Sequence, residues 1–160
     1  IHHAGTGDLV LEGCIFTSNH VGTSNNLNTG RGGAVNVEFS NSEIRYCSFN
    51  GNFAKVTGGA IRNGGGLMEI EFTGFKDNYI TSAPSSSNGA PIGGGAILNE
   101  GSVIMNSCFA TGNLIRDDFN VDTNIGGGGF VYNTGPSFTI SNSTIASNTA
   151  NIPRYSGAAF

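Results

Sequence analysis

By residue type and spacing, Glu43 and Glu69 are the side chains of this sequence best placed to do chemistry. Each stands one residue before the same apolar position of a repeated unit, in Glu43-Ile44 and Glu69-Ile70. If successive units lie as neighbouring strands, the two carboxylates come within roughly 5 Å, the separation at which a retaining glycosidase sets a nucleophile beside an acid. No His or Lys completes a cluster with them, and nearby charges offer a plainer role. Glu12, Arg45 and Glu71 share a column of alternating sign, which reads as cross-strand pairs facing water. The expectation is therefore no catalytic site, with Glu43 and Glu69 as the candidates if one exists.

Asp118, Asn120, Asp122 and Asn124 alternate with Phe119, Val121, Thr123 and Ile125. Oxygen ligands at alternate positions are a feature of calcium loops. Thr123 stands where an EF-hand needs glycine, however, and Gly129 where its closing Glu belongs. A short strand with its apolar face inward and its acids in water is the expectation, and calcium is the alternative; no other cofactor is expected. His2, His3 and His20 fall near one another in the first unit as a conceivable metal trio, and read more simply as solvent-facing turn residues. Cys14, Cys47 and Cys108 are odd in number and show no zinc spacing with His. They share one position of the unit, filled elsewhere by Thr73 and Ser143, and are expected as small buried free thiols.

All these residues take their places from an internal repeat. Gly-Gly-small-apolar recurs as Gly32-Gly33-Ala34-Val35, Gly58-Gly59-Ala60-Ile61, Gly94-Gly95-Ala96-Ile97 and Gly128-Gly129-Phe130-Val131. A weaker fifth copy is Ser156-Gly157-Ala158-Ala159. Measured at the second glycine, the steps are 26, 36, 34 and 28 residues, as expected for a fixed unit with variable loops. After each double glycine comes one frame: Ser42, Ile44, Cys47, Phe49, Asn52; then Met68, Ile70, Thr73, Phe75, Asn78; then Val103, Met105, Cys108, Ala110, Asn113; then Phe138, Ile140, Ser143, Ile145, Asn148. Leu9, Leu11, Cys14, Phe16 and Asn19 begin the series.

Steps of two put residues on one face of a strand, and the step of three between Ile44 and Cys47 demands a corner. No segment holds a 3.6-residue period, and glycine interrupts every helical candidate. The fold predicted is all-β: a right-handed parallel β-helix, or β-solenoid, of about five coils over residues 1–160, as a single segment of a longer chain. The variable loops, 22–31, 81–93 and 116–127, all leave from the same corner and should decorate one side.

Stacking then gives each column a role. Phe16, Phe49 and Phe75 should stack rings inside the coil, each burial contributing roughly 1.5–3 kcal/mol. Ala110 interrupts that column and should leave its coil underpacked unless Phe109 swings inward. Asn19, Asn52, Asn78, Asn113 and Asn148 should form an inward amide ladder closing a turn, with an outward sugar-binding row as the weaker alternative. The double glycines mark positive φ or close contact between coils. They are not phosphate loops, since no Gly-Lys-Ser/Thr follows.

Phe16-Thr17-Ser18-Asn19, Phe49-Asn50-Gly51-Asn52 and Phe75-Lys76-Asp77-Asn78, alternating with Gly-Gly-Ala-Val/Ile, resemble the repeats of the polymorphic outer membrane proteins of chlamydial type. The resemblance covers nearly the whole chain. Phe109 to Asn113 carries one residue more than that pattern, and Ile145 replaces its aromatic. It implies a secreted or cell-surface, outer-membrane-associated β-helix passenger, often an adhesin that self-associates.

Composition agrees with an exposed, polar solenoid. Charged residues are only 11% of the chain, Gly contributes 26 positions, and the net charge is −4 without a basic cluster. A phosphate backbone needs a positive stripe, so nucleic-acid binding is set aside. No run of about 18 apolar residues spans a bilayer. The function expected is a non-catalytic extracellular module for adhesion, display or filament building. Its partner would be a host or neighbouring-cell glycan or protein, with head-to-tail self-association through uncapped ends. The alternative is a polysaccharide lyase or glycoside hydrolase built on the same scaffold.

Overall fold

The computed structural model describes residues 1–22, 30–81, 93–116 and 127–151. They form four parallel sheets of five strands each, and every coil contributes one strand to each sheet. The first coil holds β1 (His2–His3), β2 (Leu9–Glu12), β3 (Ile15–Thr17) and β4 (His20–Val21). The second holds β5 (Val35–Val37), β6 (Ser42–Arg45), β7 (Ser48–Asn50) and β8 (Phe53–Ala54). The third holds β9 (Ile61–Asn63), β10 (Leu67–Glu71), β11 (Gly74–Lys76) and β12 (Tyr79–Thr81). The fourth holds β13 (Ile97–Asn99), β14 (Ser102–Asn106), β15 (Phe109–Thr111) and β16 (Leu114–Arg116), and the fifth β17 (Val131–Asn133), β18 (Ser137–Ser141), β19 (Thr144–Ala146) and β20 (Thr149–Asn151). The chain is a parallel β-helix, and its pairing follows the columns read from the sequence: Ile44 lies beside Leu11 and Ile70, and Phe75 beside Phe49 and Ala110.

The fourth sheet was not anticipated. Its strands follow directly on the asparagine corner, in the short stretches that lead into the variable loops. Their inward residues Val21, Ala54, Ile80, Ile115 and Ala150, with Val56, make a second small core apart from the main one. The double glycines sit between the two. The first glycine of each pair, Gly32, Gly58, Gly94 or Gly128, takes positive φ. The second is pinched between neighbouring coils: a Cβ on Gly33 would strike the Gly59 carbonyl, and one on Gly59 the Gly95 carbonyl. Both reasons for glycine therefore apply, one to each member of the pair.

The long connections between the fourth and first sheets have their interiors outside the described residues, as does the weak copy at Ser156–Ala159.

The ring column stacks. Phe16 and Phe49 lie 4.7 Å apart at 8°, and Phe49 and Phe75 lie 5.1 Å apart at 5°, close to the strand spacing. The gap foreseen at Ala110 is closed, but not by Phe109, which is half exposed. Phe130, standing where other coils have alanine, fills it and is completely buried.

The asparagine column is a ladder of amides, buried at Asn52, Asn78, Asn113 and Asn148. The Nδ2 groups of Asn19, Asn52, Asn78 and Asn113 donate to the Oδ1 of the next Asn at 2.9, 2.9, 2.9 and 2.8 Å, ending on Asn148. The backbone N–H of each donor residue reaches the same oxygen. The second amide hydrogen of Asn52, Asn78, Asn113 and Asn148 goes to the carbonyls of Phe16, Phe49, Phe75 and Ala110. The positive φ of this turn falls on the residue before each Asn, namely Ser18, Gly51, Asp77, Gly112 and Ser147. The Asn itself serves as an amide donor and acceptor. A second ladder, not foreseen, runs Asn63 to Asn99 to Asn133 at 2.9 and 2.7 Å along the end of the first sheet.

Cys14, Cys47 and Cys108 are free thiols. The column uses more than small size. Each thiol or hydroxyl donates to the carbonyl two residues back, as Cys47 does to Arg45 and Thr73 to Glu71. It also accepts an N–H from the coil before: Cys14 to Cys47, Cys47 to Thr73, Cys108 to Ser143. Cys, Ser and Thr interchange here because each carries a donor and an acceptor on one atom.

Candidate functional site

With the interior filled by these ladders, chemistry is left to the outward faces. Glu43 and Glu69 are register partners on β6 and β10, as the spacing required. Glu43, however, forms an ion pair with Arg45, two residues along its own strand and equally half exposed. The alternating column Glu12, Arg45, Glu71 is in register, yet Arg45 turns to Glu43 instead of making the cross-strand pairs expected. Arg45, Glu69, Glu71 and Ile104 line a depression on this face.

The histidines are placed apart from one another in their contacts. His2 Nδ1 accepts from the Asn36 amide at 2.9 Å, His3 Nε2 meets the Gly7 carbonyl at 2.7 Å, and His20 packs edge-on against Phe53. They lie on β1 and β4, so the turn placement read from the sequence is corrected to strand. Among the described residues no group of three His, Cys, Asp or Glu side chains is set to hold a metal ion. The calcium candidates Asp118, Asn120, Asp122 and Asn124 lie outside the described residues.

Burial pushes the Cys47 and Cys108 thiols above their ordinary value, because taking a thiolate out of water is costlier than burying the neutral group. At neutral pH both are thiols and poor nucleophiles.

Three features escaped sequence reasoning. The first is a charged network on the outer face of the first sheet. Arg62, almost completely buried, reaches Glu38 at 3.2 Å and Glu100 at 2.6 Å, and donates to the side-chain Oδ1 of Asn36 at 3.1 Å. It ties three coils together, with the arginine buried and its carboxylate partners only partly so. Its signal was the outward places after Gly-Gly-x-Val/Ile, where Asn36-Val37-Glu38, Arg62 and Glu100 recur.

The second is a stack on the outside. Tyr46 and Phe72 occupy the corner between the second and third sheets, their rings 5.1 Å apart at 5°. They are 57% and 49% exposed, so the stack buries little. Both take left-handed backbone, with φ of 53° and 46°. This corner demands that conformation in every coil, and elsewhere Gly13, Ser107 and Asn142 meet it. An aromatic residue there carries strain on the order of 1–2 kcal/mol that Gly or Asn largely avoids.

The third is a concentration of exposed apolar groups. Apart from Ile1, every large exposed apolar residue among those described lies on the second sheet, at its two corners, or in the first outward column beyond. Val10, Leu67 and Ile104 lie on the sheet, Phe39 at one corner, Tyr46 and Phe72 at the other, with Ile15 and Phe109 just past it. Among the described residues the same face carries Glu12, Glu43, Glu69 and Glu71 against Arg45 alone. Glu12, Glu69 and Glu71 have no ion-pair partner among the described residues.

Comparison with family models, with curated proteins and with solved structures finds no match to the chain.

Proposed function

We propose that this β-helix is a non-catalytic extracellular or cell-surface module that binds through its outer faces, in adhesion, display or a structural role. The observation that carries the reading is the second-sheet face, where exposed rings and aliphatic groups gather around carboxylates on paired parallel strands. Concentrated apolar surface on a soluble domain is characteristic of interaction sites. Strained aromatic residues that return little burial point the same way. The resemblance of the Phe-x-x-Asn and Gly-Gly-Ala-Val/Ile motifs to polymorphic outer membrane protein repeats supports the surface location.

The competing reading is a carbohydrate-active enzyme using Glu43 and Glu69, favoured by their direct register. The pairing of Glu43 with Arg45 speaks for a solvated face. Assays on neutral and acidic polysaccharides, with Glu43→Gln and Glu69→Gln alongside the wild type, separate the two. The module reading expects no turnover by any of the three. Turnover that either change abolishes would establish the enzyme instead.

A further inference from the structure

Resting on the reading of a binding module, we infer that the second-sheet face takes a basic polypeptide segment of a partner protein, with Arg or Lys interspersed among apolar residues. Charge decides the occupant. Among the described residues Glu12, Glu69 and Glu71 have no ion-pair partner, and the one cation of this face, Arg45, is held by Glu43. An acidic glycan would be repelled, and a neutral one would leave those charges uncompensated. A segment bearing cations matches both the carboxylates and the rings.

The geometry offers a particular seat. Tyr46 and Phe72 cover one face of each other, so the free face of Tyr46 looks toward the preceding coil, whose corner residue is Gly13. A Cβ on Gly13 would have nothing within 4 Å, so the space beside this corner is open. Glu12 is the adjacent outward residue. A guanidinium lying flat on Tyr46 would extend the ring stack by one rung and meet the Glu12 carboxylate at its edge. Beyond it, Val10, Leu67 and Ile104 offer apolar contacts, and Glu69 and Glu71 further cation partners.

The test uses a fluorescein-labelled heptapeptide alternating arginine with valine, and the same peptide with glutamate for arginine, read by anisotropy. The wild type should bind the basic peptide, more weakly at high salt, and ignore the acidic one. Tyr46→Asn with Phe72→Asn places at this corner the residue that Asn142 already supplies, so folding is retained; affinity should fall at least tenfold. Glu12→Gln with Glu69→Gln and Glu71→Gln should cost as much and remove the salt dependence, while Asn50→Ser on the third sheet should change nothing. Equal binding by all variants, binding of the acidic peptide, or displacement of the basic peptide by cellohexaose would overturn the inference. Those outcomes leave the module reading standing, since that reading fails on polysaccharide turnover.

Discussion

The Phe130 ring lies 5.6 Å from that of Phe75 and is tilted 59° to it, reaching across the coil in which Ala110 interrupts the ring column. The two departures from the repeat compensate one another: a ring is missing where others have one, and a ring is present where Ala34, Ala60 and Ala96 stand. Phe130→Ala should cost about 3–5 kcal/mol through the cavity it opens. Ala110→Phe alone should cost about 1–3 kcal/mol through overpacking. Together they restore the pattern of the other coils, so the double variant should be markedly more stable than the sum of the two, by urea unfolding. Strict additivity would mean that Phe130 does not fill this space.

Asn78 accepts from two Asn52 groups and donates to Phe49 and Asn113, all in the buried interior. Asn78→Ala strands several of these groups at about 1–3 kcal/mol each. Its loss in chemical denaturation should exceed that of Asn19→Ala, since Asn19 is exposed. Equal losses would contradict the ladder.

How much of this was legible depended on repetition within a single column. Phe16, Phe49 and Phe75 could be read because the period-two strand and the corner place them identically in each unit. The Asn63 ladder was hidden because Val37 breaks it one coil earlier and Gly64-Gly65-Gly66 makes its surroundings look like loop. The fourth sheet was hidden because each strand has a single inward residue, such as Ala54 or Ile80, too short for a period to show. Phe130 compensates Ala110 from another column, which spacing alone cannot relate. Glu43 and Glu69 were placed in register correctly, but the rotamer that turns Arg45 to Glu43 is a choice among neighbours.

The cysteines provide a check on burial. Cys14 is partly exposed while Cys47 and Cys108 are buried, so a thiol reagent at neutral pH should modify Cys14 first. Labelling of all three at one rate would imply local opening.

A pH effect follows from the same burial. The folded-state values of Cys47 and Cys108 lie above the ordinary 9.0. Below that value both folded and unfolded chains hold the protons, and stability is unaffected. As pH rises past it the unfolded thiols ionise first, so stability falls. The urea midpoint should drop more between pH 8 and 10 in the wild type than in Cys47→Ser with Cys108→Ser. Identical slopes would place these thiols in water.

Tyr46→Asn with Phe72→Asn loses a ring stack worth about 0.5–1.5 kcal/mol and relieves backbone strain of similar size. The melting temperature should hold or rise. A loss above about 2 kcal/mol would make the rings structural and remove one ground for the binding face.

Side chains of one kind sit over their counterparts from coil to coil, and that arrangement fills the interior. A crystallographic map of the protein tests it at Asn78. The side-chain nitrogen should lie near 2.9 Å from the Asn113 oxygen, with Asn52 directly on its other side and the Phe49 and Phe75 rings parallel beneath. Density that put Asn52 and Asn78 on different sides of the molecule would contradict it.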